Sequence, residues 1–415
     1  MSTRHGSNDS RLFYGWVILL ACVLISFTYG FFYNFGVFFK PLQSEFGWSR
    51  ALTSTLSSVS TIVYCIAAVL VGWLTDKIGP KKVLVICAVL VGAGLALSGT
   101  ATTLWQLYIF WAGMLAVGCG VIYSLPAATV QRWFVKRRGI VLGIYMSGIG
   151  LGTLILSLLG NYLIETYGWR NAFFVSGAIG FVILIIPAFL IYRTPEERGL
   201  KPYGAEETPA GQSPASPSAE YGLTRKEALR SKAFWTAWVI HILASIPLLI
   251  VMVHIVPHCI DMGISKAAAA GALGLIAAIG IVGRLLMGAI ADKTGFKFGV
   301  GFSLALCSVM MLFLIPIRSV WMVYLFAIVY GIGYGGKSAT LPGFVGYLMG
   351  TRALPVLIGV IATAWGVAGA IGPPIGGYVF DVTHSYTVAF IIGAVCYAIG
   401  SFLAFTVKQP EKLRL

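Results

Sequence analysis

Charged residues are scarce in this chain of 415 residues, since Asp, Glu, Lys and Arg together make up only 10 % of it. Soluble globular domains carry about 25 %, so the composition excludes an ordinary soluble protein. Acidic residues are the rarer kind, 14 against 29 Lys and Arg, and no Asp or Glu falls in the middle of a long apolar run. Hydrophobic residues make up 58 % and the mean hydropathy is +0.88, which indicates a polytopic membrane protein.

Metal-binding and disulfide patterns are missing as well. The seven cysteines lie in or at the edges of apolar runs, and no C-x-x-C or Cys/His zinc spacing occurs. We interpret them as small apolar packing residues. The sequence also has no metal-spaced His/Asp cluster and no nucleophile–base pair, so we expect no membrane-embedded enzyme, no metal and no cofactor. The sequence does not exclude a receptor without transport, but no feature supports one.

The sequence does contain a series of apolar runs, each long enough to cross a bilayer as a helix of about 20 residues. The 50 glycines suit close packing between such helices. We therefore predict an all-α membrane protein with twelve transmembrane helices, called spans 1 to 12 here. Their predicted ranges are 13–39, 51–75, 82–101, 104–129, 139–162, 171–192, 234–259, 266–290, 298–317, 320–347, 354–380 and 385–407.

Basic residues are distributed unequally between the two sides of the predicted membrane. The two termini and the even-numbered connections hold 22 of the 29 Lys and Arg, whereas the odd-numbered connections hold 5. The positive-inside rule then places both termini in the cytoplasm. The net charge of +15 is explained by this topology and by anionic lipid headgroups, so no nucleic-acid partner is expected.

One long polar connection divides the predicted spans into two sets of six. Residues 193–232 include EETPAGQSPASPSAE, and this composition is typical of a flexible linker. We predict an N-terminal six-helix bundle over 1–192, a cytoplasmic linker over 193–232 and a C-terminal six-helix bundle over 233–415.

A short loop is repeated across this division. GWLTDKIGPKK (72–82) follows span 2 and GAIADKTGFKF (288–298) follows span 8, and both fit G-x-[LI]-x-D-K-x-G-x-K. Asp76 and Asp292 can accept hydrogen bonds from nearby helix ends or basic groups. We predict that both act in gating, by stabilising the closed state of the cytoplasmic side.

The repeated loop resembles the signature of the major facilitator superfamily. Three further stretches are similar to the monocarboxylate transporter family within it: YGFFYNFGVFFKPL (29–42), WFVKRRGIVLGIYMSGIGLG (133–152) and YGWRNAFFVSG (167–177). Bacterial oxalate–formate antiporters share parts of this pattern. The resemblance implies two parallel halves that rock about a central site, and transport of small carboxylates, often with a proton.

The chain departs from that family at two positions. Animal lactate carriers have a lysine where this chain has Tyr33, and an aspartate one turn before the span 8 arginine where this chain has Gly280. The second cation of the dicarboxylate antiporter, on span 11, has no counterpart in residues 354–380. One clear cation therefore favours a small monoanion over a dianion.

Arg284 is the strongest candidate for binding a substrate. It lies eight residues before Asp292, about 12 Å into span 8 at 1.5 Å per residue. A lipid-facing arginine at this depth is costly, whereas one that faces a central cavity can pair with a carboxylate through both guanidinium edges. The alternative is a structural arginine, and the resemblance favours the binding role.

Tyr123 in span 4 is the second candidate. Its depth, nine residues before Arg132, is similar to that of Arg284, and a phenol there can donate a hydrogen bond to a carboxylate. Aromatic packing is the alternative for Tyr123. Weaker candidates for the same site are Tyr33, Asn34, Tyr334 and Lys337.

One end of span 7 carries three titratable residues in VHIVPHCIDMG (253–263). His254, His258 and Asp261 recur at helical spacing, although Pro257 bends the face they share. Histidine titrates near neutral pH, so we predict a proton-coupling site here. An ordinary polar helix end is the alternative.

These features together predict a secondary active transporter of small monocarboxylates of the lactate or pyruvate type, coupled to protons by symport. Exchange of one carboxylate for another, as in oxalate–formate antiporters, is the alternative. The expected partners are the carboxylate anion, a proton and the lipid bilayer of a cell membrane, with a prokaryotic inner membrane favoured by the compact loops. The sequence makes no prediction of oligomeric state.

Overall fold

The computed structural model describes residues 13–134, 138–204, 222–350 and 352–413, and over these ranges the regular structure is helical, without strands. The α-helices in chain order are α1 (Gly15–Phe27), α2 (Tyr29–Tyr33), α3 (Phe35–Phe46), α4 (Arg50–Ile78), α5 (Pro80–Ser98), α6 (Leu104–Leu107), α7 (Ala116–Cys119), α8 (Val121–Trp133), α9 (Arg138–Leu190), α10 (Arg225–Arg230), α11 (Lys232–Asp261), α12 (Lys266–Thr294), α13 (Phe296–Phe313), α14 (Val320–Met349), α15 (Leu354–Thr383) and α16 (Thr387–Thr406). A π-helix, Tyr108–Leu115, joins α6 to α7.

Ten helical stretches in the described part of the chain are long and apolar enough to cross a membrane. The stretch Gly15–Phe46 combines α1, α2 and α3, and the stretch Ile140–Leu190 is 51 residues long. Gly168 interrupts the longer stretch with φ 78° and ψ 160°, between predicted spans 5 and 6. The chain is therefore a multi-pass membrane protein, while the count of twelve spans and the cytoplasmic termini stay predictions.

The repeated loop has the same backbone geometry in both halves. Gly79 ends α4 with φ 87° and ψ 159°, and Gly295 ends α12 with φ 91° and ψ 151°. Only glycine adopts these angles without strain. The glycine shared by both copies of the motif thus turns the chain directly into the next helix.

Among the described residues, the largest helix contacts between the two halves are those of α3 with α11, α4 with α15, and α9 with α12. A Cβ atom added to Gly150 of α9 would lie 2.6 Å from the Ala277 carbonyl oxygen of α12, which shows how closely these helices approach. Ser157 Oγ also donates to the Ala270 carbonyl oxygen at 3.1 Å across the same interface. Arg284 follows Ala277 on α12 by seven residues, about two helical turns.

Part of the predicted linker is helical. Helix α10 lies within 193–232 and begins with a capping box, in which Thr224 and Glu227 each bind the backbone of the other. Ser231 then caps α11, since its Oγ accepts from the Phe234 amide at 3.1 Å. These caps place the first turn of α11 directly after α10.

Candidate functional site

Arg284 lies on α12 beside α14. Its guanidinium carbon is 6.0 Å from the centre of the Tyr334 ring. The side chain is half-buried, and its Nη1 is buried without a hydrogen-bond partner among the described residues. No residue in the described ranges forms an ion pair with it. An unpaired charge in such surroundings is costly, so Arg284 is suited to bind an anion that enters from outside the protein.

Lys337 is a second cation for which the described part of the chain offers no acid partner. Its side chain is buried, with 5 % exposed, and within the described ranges it forms no hydrogen bond or ion pair. It lies within electrostatic range of the His241 ring on α11 and the Cys307 thiol on α13. Lys337 therefore belongs to the interior of the second half, and no contact in the described part of the chain joins it to Arg284.

The remaining predicted substrate residues lie at separate places in the fold and have different neighbours. Asn34 donates from Nδ2 to the Leu156 carbonyl oxygen at 3.1 Å, and its Oδ1 is buried without a partner among the described residues. Tyr33 lines an enclosed cavity of about 10 Å³ between the halves, together with Ser57 and Met252. Tyr123 is in α8, but its side chain lies outside the described residues. The structure thus brings the Tyr334 ring to Arg284, whereas the contacts described for Tyr33 and Asn34 are with other residues.

Asp261 is bound by two cations of the other half. Its Oδ1 is 2.5 Å from Lys40 Nζ, and its Oδ2 is 2.7 Å from Arg50 Nη2. Lys40 belongs to α3 and Arg50 begins α4, whereas Asp261 ends α11. The Asp261 ion pairs therefore connect the N-terminal half to the C-terminal half at one end of the molecule.

A second carboxylate strengthens the same connection. Asp381 of α15 accepts from the backbone amides of Arg50 and Ala51, both at 2.8 Å. These amides belong to the first turn of α4 and lack partners within the helix, and the partial positive charge of a helix N-terminus favours a carboxylate there. Asp381 thus holds the start of α4 against the end of α15.

His254 completes this cluster through Tyr386. Arg50 Nη1 donates to the Tyr386 hydroxyl at 2.6 Å, and that hydroxyl lies 3.2 Å from His254 Nδ1. His254 Nε2 lies 2.8 Å from the Pro373 carbonyl oxygen, which can only accept, so we assign the ring proton to Nε2. Nδ1 then accepts from Tyr386, while the Ser54 hydroxyl, 3.3 Å from Nε2, is a second and more distant acceptor for the Nε2 proton. We call Lys40, Arg50, His254, Asp261, Asp381 and Tyr386 the Asp261 network.

His258 borders this network, because its ring stands edge-on to the Tyr386 ring with centroids 5.7 Å apart. His258 Nε2 is 3.2 Å from the Leu314 carbonyl oxygen, and its ring stands edge-on to Phe390 with centroids 4.9 Å apart. Asp292 is exposed and has no ion pair in the part of the chain that the structure describes. The side chain of Asp76 lies outside the described residues. The proton-coupling and gating roles stay predictions.

The sequence reasoning did not single out four members of the network, Lys40, Arg50, Asp381 and Tyr386. Lys40 and Arg50 were interpreted only as charges that report topology. The sequence did contain a signal for these ion pairs. Lys40 and Arg50 are among the few cations predicted on their side of the membrane, and Asp261 and Asp381 lie near helix ends on that same side.

Comparisons with known proteins agree with this architecture. Residues 20–373 match the family model described as Major Facilitator Superfamily. Monocarboxylate transporter 12-B of Danio rerio is 27 % identical over 422 residues, covering 95 % of this chain and 87 % of that protein. Monocarboxylate transporter 11 of Homo sapiens is 27 % identical over 403 residues, covering 94 % and 82 %.

A solved structure shows the same fold. A bacterial homologue of the human lysosomal transporter Spinster, in an inward-facing and unoccupied conformation, aligns with a TM-score of 0.75 and 18 % identity, covering 96 % of this chain and 97 % of that one. The same homologue in an occupied conformation aligns with a TM-score of 0.73. Members of this family are transporters rather than enzymes.

Proposed function

The chain belongs to the Major Facilitator Superfamily, and we propose that within it the protein is a secondary transporter of small monocarboxylates of the lactate or pyruvate type. The names of the relatives point to this substrate class. The observation that carries the proposal is the guanidinium of Arg284, which is half-buried, without an acid partner in the described residues, and next to an aromatic ring. A carboxylate supplies the charge and the two acceptor atoms that this group lacks.

Substrate binding would use a small set of groups. Arg284 pairs with the carboxylate through two nitrogen donors, and the Tyr334 ring limits the space beside it. Tyr123 on α8 is the candidate to donate a hydrogen bond from the first half. In a site with groups from both halves, the distances between the binding groups change when the halves separate. Alternating access requires such a change.

Closure at the Asp261 end would use the network described above. Its ion pairs join the halves when that end is closed, and they break when the halves separate there. Lys40, Arg50 and Asp381 therefore act beside the substrate site rather than in it, as groups that set the equilibrium between open and closed states.

Proton symport is the coupling that we propose. Asp261, His254 and His258 remain the candidates for the proton. Asp261 is the one linked to opening, because a proton on its carboxylate would weaken its ion pairs with Lys40 and Arg50. Asp261→Asn should then abolish accumulation driven by a pH gradient while carboxylate counterflow at symmetric pH survives. Normal accumulation by this variant would exclude Asp261 as the proton carrier.

Carboxylate exchange is the second candidate, and one feature of the structure favours it. Arg284 and Lys337 lack acid partners in the described residues, so a carrier without bound anion would reorient with uncompensated buried charges. A bound carboxylate reduces that cost in both directions. Uptake into proteoliposomes with an empty lumen and an imposed pH gradient supports symport, whereas uptake that requires internal carboxylate supports exchange.

Arg284→Lys tests the binding site itself. Lysine keeps the charge but loses the planar pair of donors, so we expect uptake of labelled lactate to fall nearly as far as in Arg284→Ala. Arg318→Lys, an exposed arginine of the same half, is the matched control and should transport normally. Full uptake by Arg284→Lys at normal expression would show that charge alone is sufficient.

A further inference from the structure

A groove outside the central site lies where α11 begins and α16 ends. Its volume is about 330 Å³. The residues that line it are Arg230, Lys232, Trp235, Thr236, Val239 and Leu403. Lys232 is the first residue of α11 and Val239 lies seven residues further on, about 10 Å along the axis. The groove is thus cationic at one end and apolar at the other.

The two cations of the groove are available to an external anion. Arg230 and Lys232 are exposed, and neither forms an ion pair with any residue that the structure describes. The nearest acid along the chain, Glu227, is already paired with Lys412 Nζ at 2.6 Å. That pair and the Thr224 cap lower the pKa of Glu227 to about 2, so Glu227 stays ionised and paired with Lys412 at neutral pH.

Two residues of the groove are held by hydrogen bonds to backbone carbonyls. Trp235 Nε1 donates to the Leu229 carbonyl oxygen at 2.9 Å, which ties the first turn of α11 to the end of α10. The Thr236 hydroxyl donates to the Lys232 carbonyl oxygen at 2.9 Å. Nearly half of the Trp235 side chain stays exposed, as is common for tryptophan at the boundary between lipid and water.

The position of the groove relates it to the membrane. The apolar stretch that can cross a bilayer begins at Lys232, so the two cations lie at its edge while Val239 and Leu403 lie within the apolar part. A ligand that matches both ends needs an anionic head and an apolar chain. A phospholipid in the adjoining leaflet has this form and is present at high local concentration.

We propose that this groove binds one anionic phospholipid, with its phosphate between Arg230 and Lys232 and an acyl chain against Trp235, Val239 and Leu403. Basic pockets between transmembrane helices are suited to such headgroups. A lipid with a zwitterionic head fits less well, because its ammonium group would face the two cations. The proposal depends on the chain spanning a membrane and is independent of the carboxylate that is transported.

The test uses the full-length protein, purified in detergent, with phosphatidylglycerol, phosphatidylcholine or glycerol 1-phosphate added. Native mass spectrometry counts retained lipid and thermal unfolding reports stabilisation. We expect one phosphatidylglycerol to bind in preference to phosphatidylcholine. The double variant Arg230→Gln/Lys232→Gln should weaken phosphatidylglycerol binding roughly 10- to 30-fold, since each cation near a membrane surface contributes modestly.

Two further variants keep the result interpretable. Arg225→Gln/Lys226→Gln removes the same charge from exposed residues of α10 that do not line the groove, and it should bind lipid normally. The swap Arg230→Lys/Lys232→Arg keeps the charges and should also bind. Equal losses in both neutralising variants would show a general charge effect and overturn the proposal. Stabilisation by glycerol 1-phosphate as large as by phosphatidylglycerol, or no preference over phosphatidylcholine, would overturn it as well.

Discussion

Asp261→Asn should open the end of the molecule that the Asp261 network closes. The substitution keeps the size of the side chain but removes the charge that pairs with Lys40 and Arg50 at 2.5 and 2.7 Å. Removing one partner of a buried ion pair costs about 3–5 kcal/mol, whereas exposed pairs contribute about 0–1 kcal/mol.

The exposure of the three side chains decides between these limits. Arg50 is 7 % exposed, but Asp261 and Lys40 are 21 % and 25 % exposed, so solvent screens part of the interaction. We expect a loss of about 2 kcal/mol in the closed state, which corresponds to roughly a 30-fold shift of the equilibrium toward opening.

Thiol labelling measures this shift. Ser57 lines the enclosed cavity between the halves and is buried in the closed state, so Ser57→Cys should react slowly with a membrane-impermeant maleimide. Labelling of Ser57→Cys should accelerate by one to two orders of magnitude when Asp261→Asn is added. The parent protein with Ser57 intact gives the background from its native cysteines.

A matched control separates opening from general loosening. Glu45 pairs with Arg170 at 2.6 Å, and both residues belong to the N-terminal half. Glu45→Gln breaks this pair without breaking a connection between halves, so the labelling rate should not change. An unchanged rate in Asp261→Asn, or an equal rise in Glu45→Gln, would refute the reasoning.

Three other substitutions give independent tests. Tyr123→Phe deletes one hydroxyl, so lactate affinity in binding assays should fall roughly 10- to 100-fold if a hydrogen bond to the carboxylate is lost; unchanged affinity would leave Tyr123 as a packing residue. Lys337→Met removes a buried charge that has no ion pair in the described residues, so the unfolding temperature should rise while uptake falls, and retained uptake would exclude a transport role. Gly335→Ala should lower the unfolding temperature because the new Cβ would lie 2.0 Å from the Gly280 carbonyl oxygen, whereas Gly359→Ala, with open space at its Cβ position, should not.

Several features of the fold could be predicted from the sequence because they follow from local composition. Apolar runs near bilayer length indicate spans, and the repeated D-K-x-G motif identified related turns before their angles were known. Gly79 and Gly295 then share positive φ values near 90°. The helical stretch across Gly168 and the short helix α10 were less predictable, since they depend on where single residues turn or cap the chain.

The candidate site also has one part that the sequence predicts and one part that only the structure shows. Arg284 was recognisable because a charge in an apolar run is costly wherever the helix packs, and the structure adds that its Nη1 lacks a partner in the part of the chain that is described. The placement of Asn34 against Leu156 was not predictable, because that hydrogen bond joins two residues 122 positions apart in the sequence.

The sequence by itself determined that the chain resides in a membrane, that one loop motif occurs twice, and that one arginine lies deep in the eighth predicted span. These properties depend on the free energy of transferring a segment from water into the bilayer and on local backbone angles. Both are set by the residues of short segments. Only the tertiary structure decided that Asp261 pairs with Lys40 and Arg50 and that Asp381 caps α4. Such contacts join residues more than 200 positions apart, so they exist only when the packing of whole helices brings the two halves together.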